Sequence, residues 1–191
     1  MTHETETKIE LTAASFAHVL SHSTVLETIE QLNVYYDCNG AIAARAGSLR
    51  IRFVMHGAAV MTFKLPLESS EGRRVSSEIE AAFNGGFPPR MLRSNVIPDL
   101  IASHLRDVCT DAPRRLGAMR NRRHVVRLPG GAQAELDEVS LPGGACFYEA
   151  EIESDDAAVH VSAAADIRRL APDSKWSERG KFQRFRDAIG A

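Results

Sequence analysis

The sequence predicts an α+β, mainly antiparallel β fold: an eight-stranded closed β-barrel, a tunnel, with a charged interior and helices packed outside. Three observations predict it. Most of the chain falls into short segments that alternate polar and apolar residues with a period of two, divided by hairpin turns. The helical segments lie in the connections and at the C-terminus, and they are amphipathic. Closing such a sheet removes the unpaired edges that an open one would expose.

Residues 4–11 (ETETKIEL) alternate strictly, with Glu4, Glu6, Lys8 and Glu10 on one face and Thr5, Thr7, Ile9 and Leu11 on the other. Residues 12–22 carry Phe16, Val19 and Leu20 at helical spacing, and Thr12 or Ser15 can cap that helix. Residues 31–37 (QLNVYYD) form a strand that ends at the turn Cys38-Asn39-Gly40. Residues 48–54 and 58–65 form a hairpin around His56-Gly57, and residues 73–80 continue the sheet. A breaker cluster, Asn84 to Pro89, precedes a helix over about 95–108. Strands return at 120–128 and 132–139 around Pro129-Gly130-Gly131, and at 146–153 after Pro142-Gly143-Gly144. Asp155 and Asp156 then open a helix that runs to about Leu170, where negative charge suits the helix dipole. A last helix spans roughly 178–189 and carries Phe182, Phe185 and Ile189.

The polar faces of these strands are unusually charged. Glu4, Glu6 and Lys8 share a face, as do Arg50 and Arg52, Glu135 and Asp137, and Glu149, Glu151 and Glu153. Solvated outer faces are the plainer account. The amphipathic helices decide against it, because their apolar stripes need an apolar outer barrel wall to cover. The charged faces then point inward. Such an interior holds together only if its charges are compensated. Oxygen-only ligands select hard divalent ions, while inward Arg and Lys call for anions. A metal-bound polyphosphate brings both.

Composition bounds the rest. The chain has 191 residues, 44% hydrophobic, with a net charge of −2. That fits a single domain over 1–191, with about 95–110 as a helical insertion between barrel halves. No apolar run approaches the roughly 18 residues of a membrane helix. Residues 1–11 are acidic and polar, unlike a secretory signal. The cysteines Cys38, Cys109 and Cys146 are odd in number and lack C-x-x-C spacing, which argues against disulfides and a cysteine zinc site and fits a reducing cytoplasm. Near-neutral charge argues against nucleic acid as a partner. A monomer and a homodimer both fit. The basic residues comprise 19 arginines and four lysines, Lys8, Lys64, Lys175 and Lys181. A lysine kept in so arginine-rich a chain marks a candidate position for a compact ammonium.

From Glu4-x-Glu6-x-Lys8 onward the chain resembles the CYTH superfamily, the triphosphate tunnel metalloenzymes. YYD (35–37), LRIR (Arg50, Arg52), T-x-K (Thr62, Lys64), RNRR (120–123), ELD (Asp137), EAEIE (Glu149, Glu151, Glu153) and Ser174-Lys175 follow in the order of that family's motifs. RVSSEIE departs from the R-x-E-x-E spacing expected after the lysine strand, which leaves the roles of Arg74 and Glu78 open. RNRR is ambiguous in register. An R-x-[KR] reading selects Arg120 and Arg122, whereas hairpin parity back from Asp137 favours Arg123.

The resemblance implies an Mg²⁺- or Mn²⁺-dependent triphosphatase acting on a small triphosphate, with inorganic tripolyphosphate foremost. It implies metal ligation by Glu4, Glu6, Asp137, Glu149, Glu151 and Glu153. It implies phosphate binding by Lys8, Arg50, Arg52, Lys64, Arg74, Arg122, Arg123 and Lys175. Glu4, Glu6, Lys8, Lys64 and Lys175 would carry catalysis, with transition-state charge neutralised by the cations. The alternatives are a class IV-type adenylate cyclase, a thiamine triphosphatase, an RNA triphosphatase, and a non-catalytic polyphosphate- or nucleotide-binding module. Glu10 and Glu135 fit either the rim or the outer surface. Lys181 reads as an exposed helix residue, and Trp176 as an anchor for the last helix.

Overall fold

The computed structural model describes residues 2–55, 57–70 and 73–191, so His56 of the expected hairpin turn lies outside the described residues. In chain order the elements are β1 (Thr2–Leu11), α1 (Ala13–Ser21), β2 (Thr24–Asp37), β3 (Ser48–Val54), β4 (Val60–Ser70), β5 (Arg73–Ala82), α2 (Asp99–Leu105), β6 (Arg114–Arg127), β7 (Gln133–Ser140), β8 (Cys146–Glu153), α3 (Ala157–Leu170), β9 (Lys175–Trp176) and α4 (Lys181–Ile189). Hydrogen-bonded neighbours run β5-β4-β3-β2-β6-β7-β8-β1, and β1 pairs back onto β5. Eight antiparallel strands therefore close a barrel. The first half of β1 pairs with β5 and its second half with β8. Two-residue β9 adds beside β1 where β5 has left it, pairing Ile9 with Trp176 and Glu10 with Lys175.

Strand parity sorts the side chains. On β2, Val34 and Tyr36 join an outer core with Leu49, Ile51, Met61 and Phe63, covered by Ile101 and Leu105 of α2. On the opposite wall Ile9, Leu136, Ala150 and Ile152 are covered by Phe16 and Val19 of α1 and by Ala163 and Ile167 of α3. Trp176 packs against this second core, with the Arg168 guanidinium 5.1 Å from its ring centroid. Local signals act as expected at two helix starts: Ser15 N–H donates to Thr12 Oγ1, and Ala158 N–H donates to Asp156 Oδ1.

α4 is placed differently from the other helices. Phe185 packs with Tyr35, Met119 and Val139, which share the inward parity of their strands, so α4 stands across one end of the barrel. Phe182 and Phe185 each lie 4.9 Å, centroid to centroid, from the Tyr35 ring.

Three differences from the sequence reading have physical causes. β2 begins earlier than expected, because Thr24–Glu30 pair with Arg122–Arg127 through a largely exposed segment without core periodicity, and β6 begins earlier because Arg114–Met119 pair with Asn33–Asp37. α2 is shorter than expected and begins after Pro98, whose ring suits only a helix start. Cys38 and Cys109 form a disulfide, contrary to the expectation of none. Their proximity arises from α2 packing beside the end of β2, and a sequence separation of 71 hides it in the sequence. Among the described residues no helix is long and apolar enough to cross a membrane.

Candidate functional site

The inward faces of the strands line a cavity of about 520 Å³. β1 supplies Glu4, Glu6 and Lys8; β3 supplies Arg50 and Arg52; β4 supplies Lys64. β5 supplies Arg74, Ser76, Glu78 and Glu80, and β6 supplies Asn121 and Arg123. From β7 and β8 come Glu135, Glu151 and Glu153. Alternation puts same-face side chains one period apart, which is why the motifs on β1, β3, β5, β6 and β8 read as x-spaced sets.

Lys64 lies among the carboxylates nearest the mouth, 3.0 Å from Glu4, 3.5 Å from Glu6 and 3.2 Å from Glu78. Lys8 is 3.1 Å from Glu6 and also pairs with Glu151. Burial alone would lower both lysines, but the surrounding carboxylates, Glu151 for Lys8 and Glu6 for Lys64 foremost, hold each above the usual lysine range. Both therefore stay charged. On the opposite wall, Arg52 is pushed down to about 10 by burial and by the neighbouring Arg50 and Arg123. Its Nε donates to Asn33 Oδ1 at 3.3 Å. Three guanidinium groups crowded in this way form a locus that favours an anion.

Three carboxylate groupings place one oxygen from each member within 4.8 Å of the others: Glu4–Glu6–Glu153, Glu135–Glu151–Glu153 and Asp137–Glu149–Glu151. Glu153 belongs to the first two. Burial, then Glu135, Glu151 and Glu4, push its carboxyl up to about 8. Burial also raises Glu135 and Glu4, despite Arg123 and Lys64 respectively. Crowded hard oxygens that resist ionisation together fit a divalent cation, which would offset their raised proton affinity by favouring the ionised form.

The structure separates the sequence candidates. Arg122 is corrected: it lies on the outer face, where its Nε donates to Glu30 Oε1 at 2.6 Å. Arg122 stands opposite Glu138, and Arg123 opposite Asp137, so parity sends Arg123 inward. Lys175 is also corrected. It is exposed on β9, beside Glu10, and does not line the cavity. A buried lysine comes instead from Lys181, which the helical pattern had put on an exposed face; it is 8% exposed and lines the cavity. Its signal was hidden because Lys181 is the first residue of α4 and points into the barrel end that α4 covers. Arg74 lines the cavity, and its Nη2 donates to the Ser177 carbonyl at 3.2 Å. Glu135 is a cavity residue paired with Arg123. Its same-face relation to Asp137 was the available signal.

Residues 2–185 match the CYTH domain family. No curated protein sequence matches the chain. A proposed adenylyl cyclase from Hippeastrum, described as revealing a dominant triphosphatase activity, is similar in structure, with 22% identity, a TM-score of 0.76, and coverage of 96% of this chain and 95% of that one. A protein from Pyrococcus horikoshii OT3 has 19% identity and a TM-score of 0.66, covering 96% and 98%. A proposed adenylate cyclase from Bacillus halodurans has 18% identity and a TM-score of 0.67, covering 97% and 99%. At these identities the structural likeness speaks for the fold alone. The family match spans nearly the whole sequence, and the chain belongs to the CYTH domain family.

Proposed function

We propose that this protein is a metal-dependent hydrolase that cleaves the terminal phosphoanhydride of a small triphosphate, inorganic tripolyphosphate foremost. One observation carries the reading: a single closed barrel sets Arg50, Arg52, Arg123, Lys8 and Lys64 around the same cavity as Glu4, Glu6, Glu135 and Glu153. A polyphosphate with a divalent cation is the ligand that answers both sets of charge. The dominant triphosphatase activity described for the Hippeastrum protein agrees with it.

The cation's ligands would come from Glu4, Glu6, Glu135 and Glu153 near the mouth and from Asp137, Glu149 and Glu151 deeper in. Mg²⁺ or Mn²⁺ bound there would supply Lewis acidity toward phosphate oxygens. The chain's own cations do the positioning. Arg50 and Arg52 hold phosphate oxygens from one wall, and Lys64 and Lys8 hold them from β4 and β1. They neutralise the charge that develops as the terminal phosphoryl group departs. A carboxylate left free by the cation accepts the proton of the attacking water. Tyr35 and Phe182, the aromatic residues lining the cavity, are engaged with each other and with Phe185, which favours a substrate with no base to stack.

The test is phosphate release from tripolyphosphate, ATP and thiamine triphosphate with Mg²⁺ or Mn²⁺. The expected result is fastest release from tripolyphosphate and at least a tenfold loss in Glu4→Gln. Cyclic AMP and pyrophosphate from ATP would establish a cyclase instead. Tight binding without turnover would establish a binding module.

A further inference from the structure

Behind the cavity wall at Glu151 lie three buried carboxylates, Asp137, Glu149 and Glu151, whose cation comes from the chain itself. Asp137, Glu149 and Glu151 are at most 3% exposed. Three buried anions at their spacing need a counter-charge. Lys181 Nζ stands among them, 2.7 Å from Asp137, 2.5 Å from Glu149 and 2.8 Å from Glu151. Lys8 pairs with Glu151, and Arg123 pairs with both Asp137 and Glu151. Lys8 is shared with Glu6 and Arg123 with Glu135, whereas Lys181 contacts all three members of the triad.

The triad also has unfilled ligand capacity. Glu149 is 0% exposed, and its Oε2 is buried with no hydrogen-bond partner among the described residues. The same three carboxylates converge closely enough to ligate one ion. An ammonium among three carboxylate oxygens occupies the position that a hard divalent cation would take, and the two cannot share it. Lys181 is delivered by α4, whose seat in the barrel end depends on Phe182 and Phe185.

We propose that Lys181 and a divalent cation compete for the Asp137–Glu149–Glu151 triad, so that cation binding there expels the Lys181 ammonium and loosens the start of α4. The proposal rests on the metal-dependent reading above and adds a coupling to α4. The expelled ammonium becomes available to a phosphate oxygen.

The test needs no turnover. Mn²⁺ binding is titrated by electron paramagnetic resonance on the full chain, its Lys181→Met variant and its Glu149→Gln variant. Competition predicts at least tenfold tighter Mn²⁺ binding in Lys181→Met and weaker binding in Glu149→Gln. A second arm follows amide hydrogen exchange of the unaltered protein. Saturating Mn²⁺ should speed exchange in residues 181–185 at least severalfold. Unchanged affinity in a folded Lys181→Met variant would overturn the proposal, as would unchanged α4 exchange under saturating Mn²⁺. Absence of Mn²⁺ binding by all three proteins would overturn the metal-dependent reading along with it.

Discussion

Arg123 and Asp137 stand directly opposite each other on β6 and β7, and their side chains meet twice: Nε donates to Oδ1 at 2.8 Å and Nη2 donates to Oδ2 at 2.7 Å. This fork is buried, with Asp137 wholly enclosed. Burial would raise the Asp137 carboxyl, but Lys181 and Arg123 hold it below the usual range. Removing one partner strands the other in a poorly solvated site. Arg123→Leu should cost about 3–5 kcal/mol of stability in urea unfolding. Arg123→Lys keeps the charge but loses the planar fork, so it should recover only part of that loss.

The Glu153 carboxyl gives a pH dependence with a definite sign. Its pKa is about 8 in the folded protein without metal, against an ordinary value of 4.5. Between those values the folded state holds a proton that the unfolded chain has released, so stability falls as pH rises. The melting temperature in EDTA should therefore drop between about pH 5 and pH 8, and Glu153→Gln should flatten that slope. Saturating Mg²⁺ should reverse the loss, because a cation favours the ionised form. A slope identical in Glu153→Gln would assign it to other groups.

The barrel and most of its lining were legible because both depend on local alternation. Glu4, Glu6 and Lys8 declare a shared face in five residues, as do Glu149, Glu151 and Glu153. Arg122 against Arg123 required the register of β6 on β7, which pairs residues across a hairpin and fixes parity only once the turn is known. Lys181 could not be found by periodicity. α4 has an amphipathic pattern that would suit an outer wall equally well, and only tertiary placement shows that its N-terminus enters the barrel. The disulfide belongs with Lys181, since long-range packing of α2 brings Cys38 and Cys109 together.

The contrast between Lys64 and Lys175 can be tested directly. Lys64 contacts three cavity carboxylates, whereas Lys175 is exposed outside the cavity. Lys175→Ala should leave stability within about 0.5 kcal/mol and tripolyphosphate hydrolysis within about twofold. Lys64→Ala should lose about a hundredfold or more in kcat, the scale expected for one transition-state charge partner. Equal losses in the two variants would return Lys175 to the site.

Gly117 explains how α4 can enter the barrel end. It pairs with Tyr35 across β2 and β6, and a Cβ at this position would lie 3.0 Å from Cζ and 3.3 Å from Cε2 of Phe185. Phe185 is wholly buried and held between Tyr35, Phe182 and Met119, so the ring has little room to yield. Replacing glycine by alanine ordinarily stabilises by about 0.4–1 kcal/mol through the unfolded chain. Overpacking should outweigh that gain, and Gly117→Ala should lose about 1–3 kcal/mol in urea unfolding. Phe185→Leu shortens the opposing side chain, so the double variant should be more stable than the sum of the two single losses allows. Strict additivity would mean that the backbone of β6, rather than the Phe185 ring, is what requires glycine at this position.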